Sequence, residues 1–324
     1  MRLGLFCTYE NPQNDYPSAY AEQTELVLLA EELGFDEAWI AEHHFNPSAA
    51  SPSPLLIIAH LAGLTSRIRL GSAAVLLPFC DPIHVAEQAA TVDILSRGRF
   101  DLGVAKGGPF ARQFKHFHLD AGDARAKMDE ALVLVDRLLH EESVTFEGRF
   151  FRVEGVELTP KPVQRRCPIY VATSTADTVR RAATAGLGVM AAPVFPLARV
   201  EENLRWHGEA APGVDPRLVL IRFVHVAATR ANAIAEAEAL LTPFVERMRA
   251  ATAALQPDWT PWIELRRLIA DSIVGSPSEI RAKTEELQAT LAPRSLVLKP
   301  LSPDLDRRKA CLRLFAEQLV RTHA

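Results

Sequence analysis

An α/β barrel of eight parallel strands is the fold class the sequence predicts, on three observations. Short β-branched or apolar runs alternate with longer segments of helical period, the pattern of strands joined by crossover helices. Eight such strands can be counted, each followed by a helix, and eight parallel strands closed on themselves leave no sheet edge to protect. The 324 residues exceed a minimal barrel of about 250, and the excess falls in two long connections, 141–167 and 252–277. A length near two average domains would suggest two units, but no internal repeat or low-complexity segment marks a second. The reading is therefore one TIM-type (β/α)8 barrel over residues 1–324, with insertions after helix 4 and before strand 8.

The first strand is read at Arg2 to Thr8. The helix after it, from about Ser18, carries the stripe Leu26, Leu29, Ala30 and Leu33, and Gly34 stops it as a C-terminal glycine does. Strand two is Glu37 to Ala41, helix two Pro54 to Thr65, strand three Ile68 to Leu76, helix three Asp81 to Leu95, and strand four Phe100 to Val104. In the fourth helix Met128, Leu132, Val135 and Leu139 line one face. Strand five is Ile169 to Ala172. Helix Asp177 to Ala185 leads to strand Leu187 to Ala191, and helix Leu197 to His207 to strand Leu218 to Ala227. Helix Ala231 to Ala250 precedes strand eight, Ser295 to Lys299, and a last helix spans Asp304 to Arg321. Segment 141–167 reads as a hairpin around Glu147 and Gly148. Segment 252–277, with Trp259 and Trp262, reads either as a lid or as aromatics packed on the barrel.

Composition narrows the function classes. With 36 Lys and Arg against 40 Asp and Glu, the net charge of −4 gives no general grip on nucleic acid. No apolar run is long enough for a membrane span or a signal-peptide core. Cys7, Cys80, Cys167 and Cys311 lie far apart with no CxxC pair, which points to a reducing, cytoplasmic home and away from zinc or disulfide scaffolds.

In a parallel barrel the site lies on the loops after the strands. Strand two ends in AEHHF, placing Glu42, His43 and His44 at the rim, where adjacent histidines of an extended segment face opposite sides. Either is equally a packed structural residue. A metal would need a third ligand from His84, His116 or His118, and those spacings match no zinc pattern. Ala73 and Ala74 in strand three are small, either to fill a tapering barrel or to let a flat ligand approach the backbone. After strand four, Gly103, Gly107 and Gly108 flank Lys106, giving an anion loop or a plain turn. Ser174 and Thr175 open a helix whose amides could seat a phosphate, unless Ser174 and Asp177 form a capping box that consumes them.

Taken together, AEHHF, GSAAVLLP and the run HVAEQAATVDILSRGRFDLGVAKG from His84 to Gly107 resemble the flavin-dependent bacterial luciferase-like monooxygenases, a family of (β/α)8 barrels. The likeness runs from RLGLF through VATSTAD to GSPSEI, and EHHF looks closer to the FMN-using branch than to relatives that use F420. The resemblance implies that His43 is an active-site acid/base near the flavin, with His44 beside it. It implies a non-proline cis peptide at Ala73 and Ala74 beneath the isoalloxazine. It also implies a phosphate site built from Lys106, Arg125, Ser174 and Thr175, with no metal. Three positions depart from the family pattern: lysine stands at 106 where arginine is frequent, Ala105 stands where the luciferase α subunit has cysteine, and Asp177 adds negative charge near the phosphate. The stretch between helix seven and strand eight is also shorter than in luciferase.

The implied function is a two-component monooxygenase. Reduced FMN from a separate flavin reductase reacts with O2, and the flavin C4a-hydroperoxide oxidises a small organic substrate. The absence of a Rossmann fingerprint agrees with a borrowed reductant. F420-dependent hydride transfer, a non-catalytic flavin-binding protein and a metal-dependent hydrolase are the alternatives. The resemblance further implies a homodimer through helices two and three, whose small residues are Ala59, Ala62, Gly63, Ala86, Ala89 and Ala90.

Overall fold

A computed structural model describes residues 1–320; the expected end of the last helix at Arg321 lies outside the described residues. In chain order, β1 (Arg2–Cys7) leads to α1 (Tyr16–Glu32), and β2 (Glu37–Ile40) leads to α2 (Pro54–Leu64). Next come β3 (Arg69–Ser72), β4 (Val75–Leu76), α3 (Pro82–Leu95), β5 (Phe100–Ala105), α4 (Ala111–His116) and α5 (Ala124–His140). The hairpin β6 (Val144–Glu147) and β7 (Arg152–Val156) separates these from β8 (Ile169–Ala172), α6 (Ala176–Thr184), β9 (Gly188–Ala191) and α7 (Leu197–Ala210). The chain continues through β10 (Val219–Val226), α8 (Arg230–Leu255), α9 (Leu265–Ala270), β11 (Ile273–Gly275) and α10 (Pro277–Leu291). It ends in β12 (Ser295–Pro300) and α11 (Leu305–Phe315).

The parallel sheet closes. Its neighbours run β1, β2, β3, β5, β8, β9, β10, β12, and β12 pairs back with β1 so that Leu3 sits opposite Leu296. Closure gives every barrel strand two partners, so the strands read as continuous apolar runs. Alternate residues face opposite ways. Leu3, Leu5 and Cys7 join the large core between sheet and helices, while Phe6 faces the interior with Trp39, Tyr170, Met190, Val219, Ile221 and Val297. The floor of the interior is polar and paired: Arg2 to Glu37 at 2.8 Å and Arg69 to Asp101 at 2.8 Å.

Local signals account for the helix starts. Asp81 accepts hydrogen bonds from the amides of Ile83 and His84 at the head of α3, with Pro82 in the first turn. Ser276 and Glu279 form a capping box at α10. The 141–167 insertion is the expected hairpin, turning where Gly148 N donates to Phe151 O.

Three features differ from the sequence expectation. Strand three is not continuous: it is cut into β3 and β4, and the register against β5 shifts from Leu70 opposite Phe100 to Val75 opposite Val104. Segment 252–277 is not one open loop. It holds the end of α8, a 3-10 turn at Pro257–Trp262, α9 and β11, which pairs with β10. The helix α10 was not legible because its buried positions Ile280, Thr284, Leu287 and Leu291 include a threonine and are diluted by charged neighbours.

Among the described residues no helix is long and apolar enough to cross a membrane, and no group of three or more His, Cys, Asp or Glu could hold a metal ion.

Candidate functional site

The C-terminal ends of the barrel strands carry the rim. Past β2 the chain leaves the sheet, and the two histidines follow in the loop. His44 turns toward helices α2 and α3: its Nε2 lies 2.7 Å from Glu42 Oε1, its ring stacks edge-on against Phe117, and it lines a pocket of about 180 Å³ with Leu55, Phe79 and Val85. Glu42 is buried and uses its other oxygen to accept from Leu76 N at 3.2 Å. His43 does not line this pocket. Its backbone amide donates to Ser51 O at 2.9 Å, but its ring has no hydrogen-bond partner among the described residues. Burial, then the charge of Lys299, then His44 push its pKa down to about 4, so the ring is neutral at pH 7.

Lys299 was not singled out in the sequence. It lies two residues beyond the interior residue Val297, on the same face of β12. The residue is 9 % exposed; its ammonium donates to Thr8 Oγ1 at 2.9 Å and pairs with Glu10. A lysine ending a buried strand could have flagged it, but nothing local in sequence says that it meets Thr8 and Glu10 from the other end of the chain.

Next to β2, the peptide between Ala73 and Ala74 is cis, as the resemblance implies. Both side chains are methyls, Ala73 packs against the interior cluster, and Ala74 is buried. Ser72, also unflagged in the sequence, is fully buried and clasps Gly103 across the gap in the ladder. Gly103 has to be glycine: a Cβ there would stand 1.9 Å from Ser72 O.

Beyond β5 and β8 the cationic residues converge. Arg125 Nη2 reaches Thr175 Oγ1 and its Nη1 reaches Thr178 Oγ1, both at 3.4 Å, long contacts that leave the guanidinium largely unspent. Burial lowers its pKa, against the opposing pull of Asp129. Lys106 has no hydrogen-bonding or ion-pairing partner among the described residues; burial first, and Arg125 second, push its pKa down to about 8. The capping box that was the alternative at Ser174 and Asp177 does not form. Thr175 is the N-cap of α6 and makes no side-chain cap; its own amide donates to Thr173 Oγ1 at 3.2 Å. Asp177 points outward, exposed and 3.8 Å from Arg180. Ser174 is buried one residue ahead of the cap. The α6 amides are therefore open and the nearby acid is turned away.

Two mutually repelling, desolvated cations beside an uncapped helix start form a donor set that suits a phosphate dianion. Ala73, partly exposed with only a methyl side chain, leaves strand backbone accessible to a planar group. The residues present thus fit a phosphate-bearing flavin. Trp259 and Trp262 stack on each other at 5.5 Å and pack edge-on against Phe195, while Arg267 donates to the carbonyl oxygens of Val194 and Trp262. They are tied to the loop after β9 as packed aromatics.

Fold and rim together define a parallel α/β barrel whose mouth carries two desolvated cations beside an open helix start. Residues 1–294 match the model of the luciferase-like monooxygenases, and the chain belongs to that family of flavin-dependent enzymes. The structure of the monooxygenase RslO1 from Streptomyces bottropensis superposes with a TM-score of 0.86, at 29 % identity over 100 % of both chains. The oxygenase component of the flavin-dependent trigonelline monooxygenase of Acinetobacter baylyi is 30 % identical over 243 residues, 72 % of this chain and 67 % of that protein. The alkanal monooxygenase alpha chain of the Kryptophanaron alfredi symbiont is 31 % identical over 192 residues, 59 % of this chain and 54 % of its own. The chain spans about half the length of the first curated relatives it matches.

Proposed function

We propose that this protein is the oxygenase component of a two-component monooxygenase, which takes reduced FMN from a separate flavin reductase, together with O2, and places one oxygen atom on a small organic substrate. The observation that carries this reading is the unspent pair Lys106 and Arg125 beside the open start of α6, one strand from the Ala73 and Ala74 break. That arrangement asks for a phosphate with a flat ring attached.

In this reading Lys106, Arg125, Ser174, Thr175 and the α6 amides bind the phosphate, and Ala73 and Ala74 receive the ring. His44, fixed by Glu42, shapes the rim. Bound reduced FMN supplies the oxygen chemistry. The chain supplies orientation, exclusion of water and proton handling, and the free, neutral ring of His43 accepts or returns a proton at a ring nitrogen. Four free cysteines suit a reducing cytoplasm. The exposed Leu56, Leu64, Ile94 and Leu95 on α2 and α3 suit a homodimer face, and residues 1–324 act as one barrel unit.

Anaerobic titration with FMNH2, riboflavin and reduced F420, followed by admission of O2, tests the reading. Micromolar FMNH2 binding with O2 consumed in proportion to an oxygenated product is expected. Tighter binding of F420 with turnover that needs no O2 establishes hydride transfer instead, and flavin binding with no turnover across a substrate panel leaves a binding protein.

A further inference from the structure

Of the three residues that α7 buries, Val200, Asn203 and His207, two are polar. Asn203 is 3 % exposed. Its Nδ2 donates to Thr173 O at 3.0 Å, and its Oδ1 is buried with no hydrogen-bond partner among the described residues. A buried amide with one end unanswered costs free energy that an apolar side chain in the same place would not. What distinguishes Asn203 from such a side chain is the one bond it makes, to Thr173.

Thr173 is the residue on which the segment before α6 turns. It follows β8, is buried, and spends both of its oxygens close by: the carbonyl accepts from Asn203, and Oγ1 accepts from the amide of Thr175 at 3.2 Å. From α5, Arg125 reaches the Thr175 hydroxyl. A trans peptide is planar, with its carbonyl and the following N–H pointing opposite ways. Holding the Thr173 carbonyl against α7 therefore turns the N–H of Ser174 away from α7. In the sheet β8 lies between β5 and β9; α7 follows β9, whereas Lys106 follows β5, whose last residue Ala105 sits opposite Ala172. The Ser174 N–H is thus turned to the side of β8 on which Lys106 and Arg125 stand.

We propose that Asn203 is a positioning residue for the anion seat: by holding the Thr173 carbonyl it fixes the turn at Ser174 and Thr175, and with it the start of α6, in the orientation that receives a phosphate. Asn203 acts through Thr173. The hold on the turn stands on this chain alone; its use for a phosphate rests on the function proposed above.

The experiment compares wild type with Asn203→Leu, which is near in shape and removes the donor, and with Asn203→Ser, too short to reach Thr173 O. Amide hydrogen exchange is followed by NMR in the ligand-free protein, and FMN and riboflavin are titrated by fluorescence. In both variants the Ser174 and Thr175 amides should exchange about tenfold faster, with those of β8 and β9 unchanged. FMN should bind about tenfold more weakly, and riboflavin, which has no phosphate, as before. A merely structural role would weaken both flavins together and speed exchange along β8 and α7 as well. Unchanged exchange at Ser174 and Thr175, or an unchanged ratio of FMN to riboflavin affinity, overturns the proposal; Asn203→Ser decides the matter if Asn203→Leu does not fold. If wild type binds neither flavin, the proposed function falls, and the exchange rates alone decide whether Asn203 holds the turn.

Discussion

The hydroxyl of Ser72 donates to the carbonyl of Gly103 at 2.8 Å and accepts from the amide of the same residue at 2.9 Å. One side chain thereby restores both hydrogen bonds that the ladder loses where strand three is interrupted. Both groups are buried, so water cannot replace it.

Ser72→Ala should therefore cost about 1 to 3 kcal/mol, because it strands a buried donor and a buried acceptor together. Urea unfolding monitored by circular dichroism would measure this. A loss below a few tenths of a kcal/mol would show that the backbone closes the gap unaided.

Lys106 should make flavin affinity depend on pH in one direction. It is charged below about 8 and neutral above, so FMN binding should weaken as pH rises through that value, or somewhat higher once the phosphate stabilises the charge. Riboflavin, which has no phosphate, should show a flat profile. Lys106→Met should flatten the FMN profile and weaken binding by about tenfold. Fluorescence titration of both flavins across pH 6.5 to 9.5 separates these outcomes.

His43 should tax stability in acid. Its unfolded value lies near 6.5 and its folded value near 4, so between them the unfolded chain takes up a proton that the folded protein refuses. Stability contributed by this site falls as pH drops through that window, by at most about 1.4 kcal/mol per pH unit, and is unaffected above it. His43→Asn should remove this slope. Equal acid sensitivity of mutant and wild type in parallel denaturation curves would count against a neutral His43.

Leu56, on α2, leaves 72 % of its surface exposed at the rim of the pocket beside His44. If α2 and α3 form a homodimer face, Leu56→Asp should shift the protein to monomer in sedimentation equilibrium while leaving its circular dichroism unchanged. A wild-type protein that is already monomeric at tens of micromolar would remove the dimer from consideration.

Much of the barrel was legible because its signals are local. The apolar runs of β1, β2, β5, β8 and β12, the stop at Gly34 and the stripe of α5 fall within a residue or two of where they were read. The misses have long-range causes. The break in strand three depends on how Ser72 meets Gly103, 31 residues away. Whether Ser174 caps the helix or leaves its amides open was undecided locally; the N-cap of α6 is the next residue, Thr175. The α10 helix hides its buried face among charged residues.

The sequence by itself determined that eight strands and their helices alternate, that an EHH segment lies just past the second strand, and that lysine, arginine and small residues occur at places a phosphate-bearing flavin could use. The tertiary structure decided which histidine is left without a partner, which cations remain unspent, and that Lys299 stands over the mouth with Glu10. The physical reason is closure. Pairing the last strand with the first brings together residues 291 positions apart, Thr8 and Lys299, whose meeting no local pattern encodes.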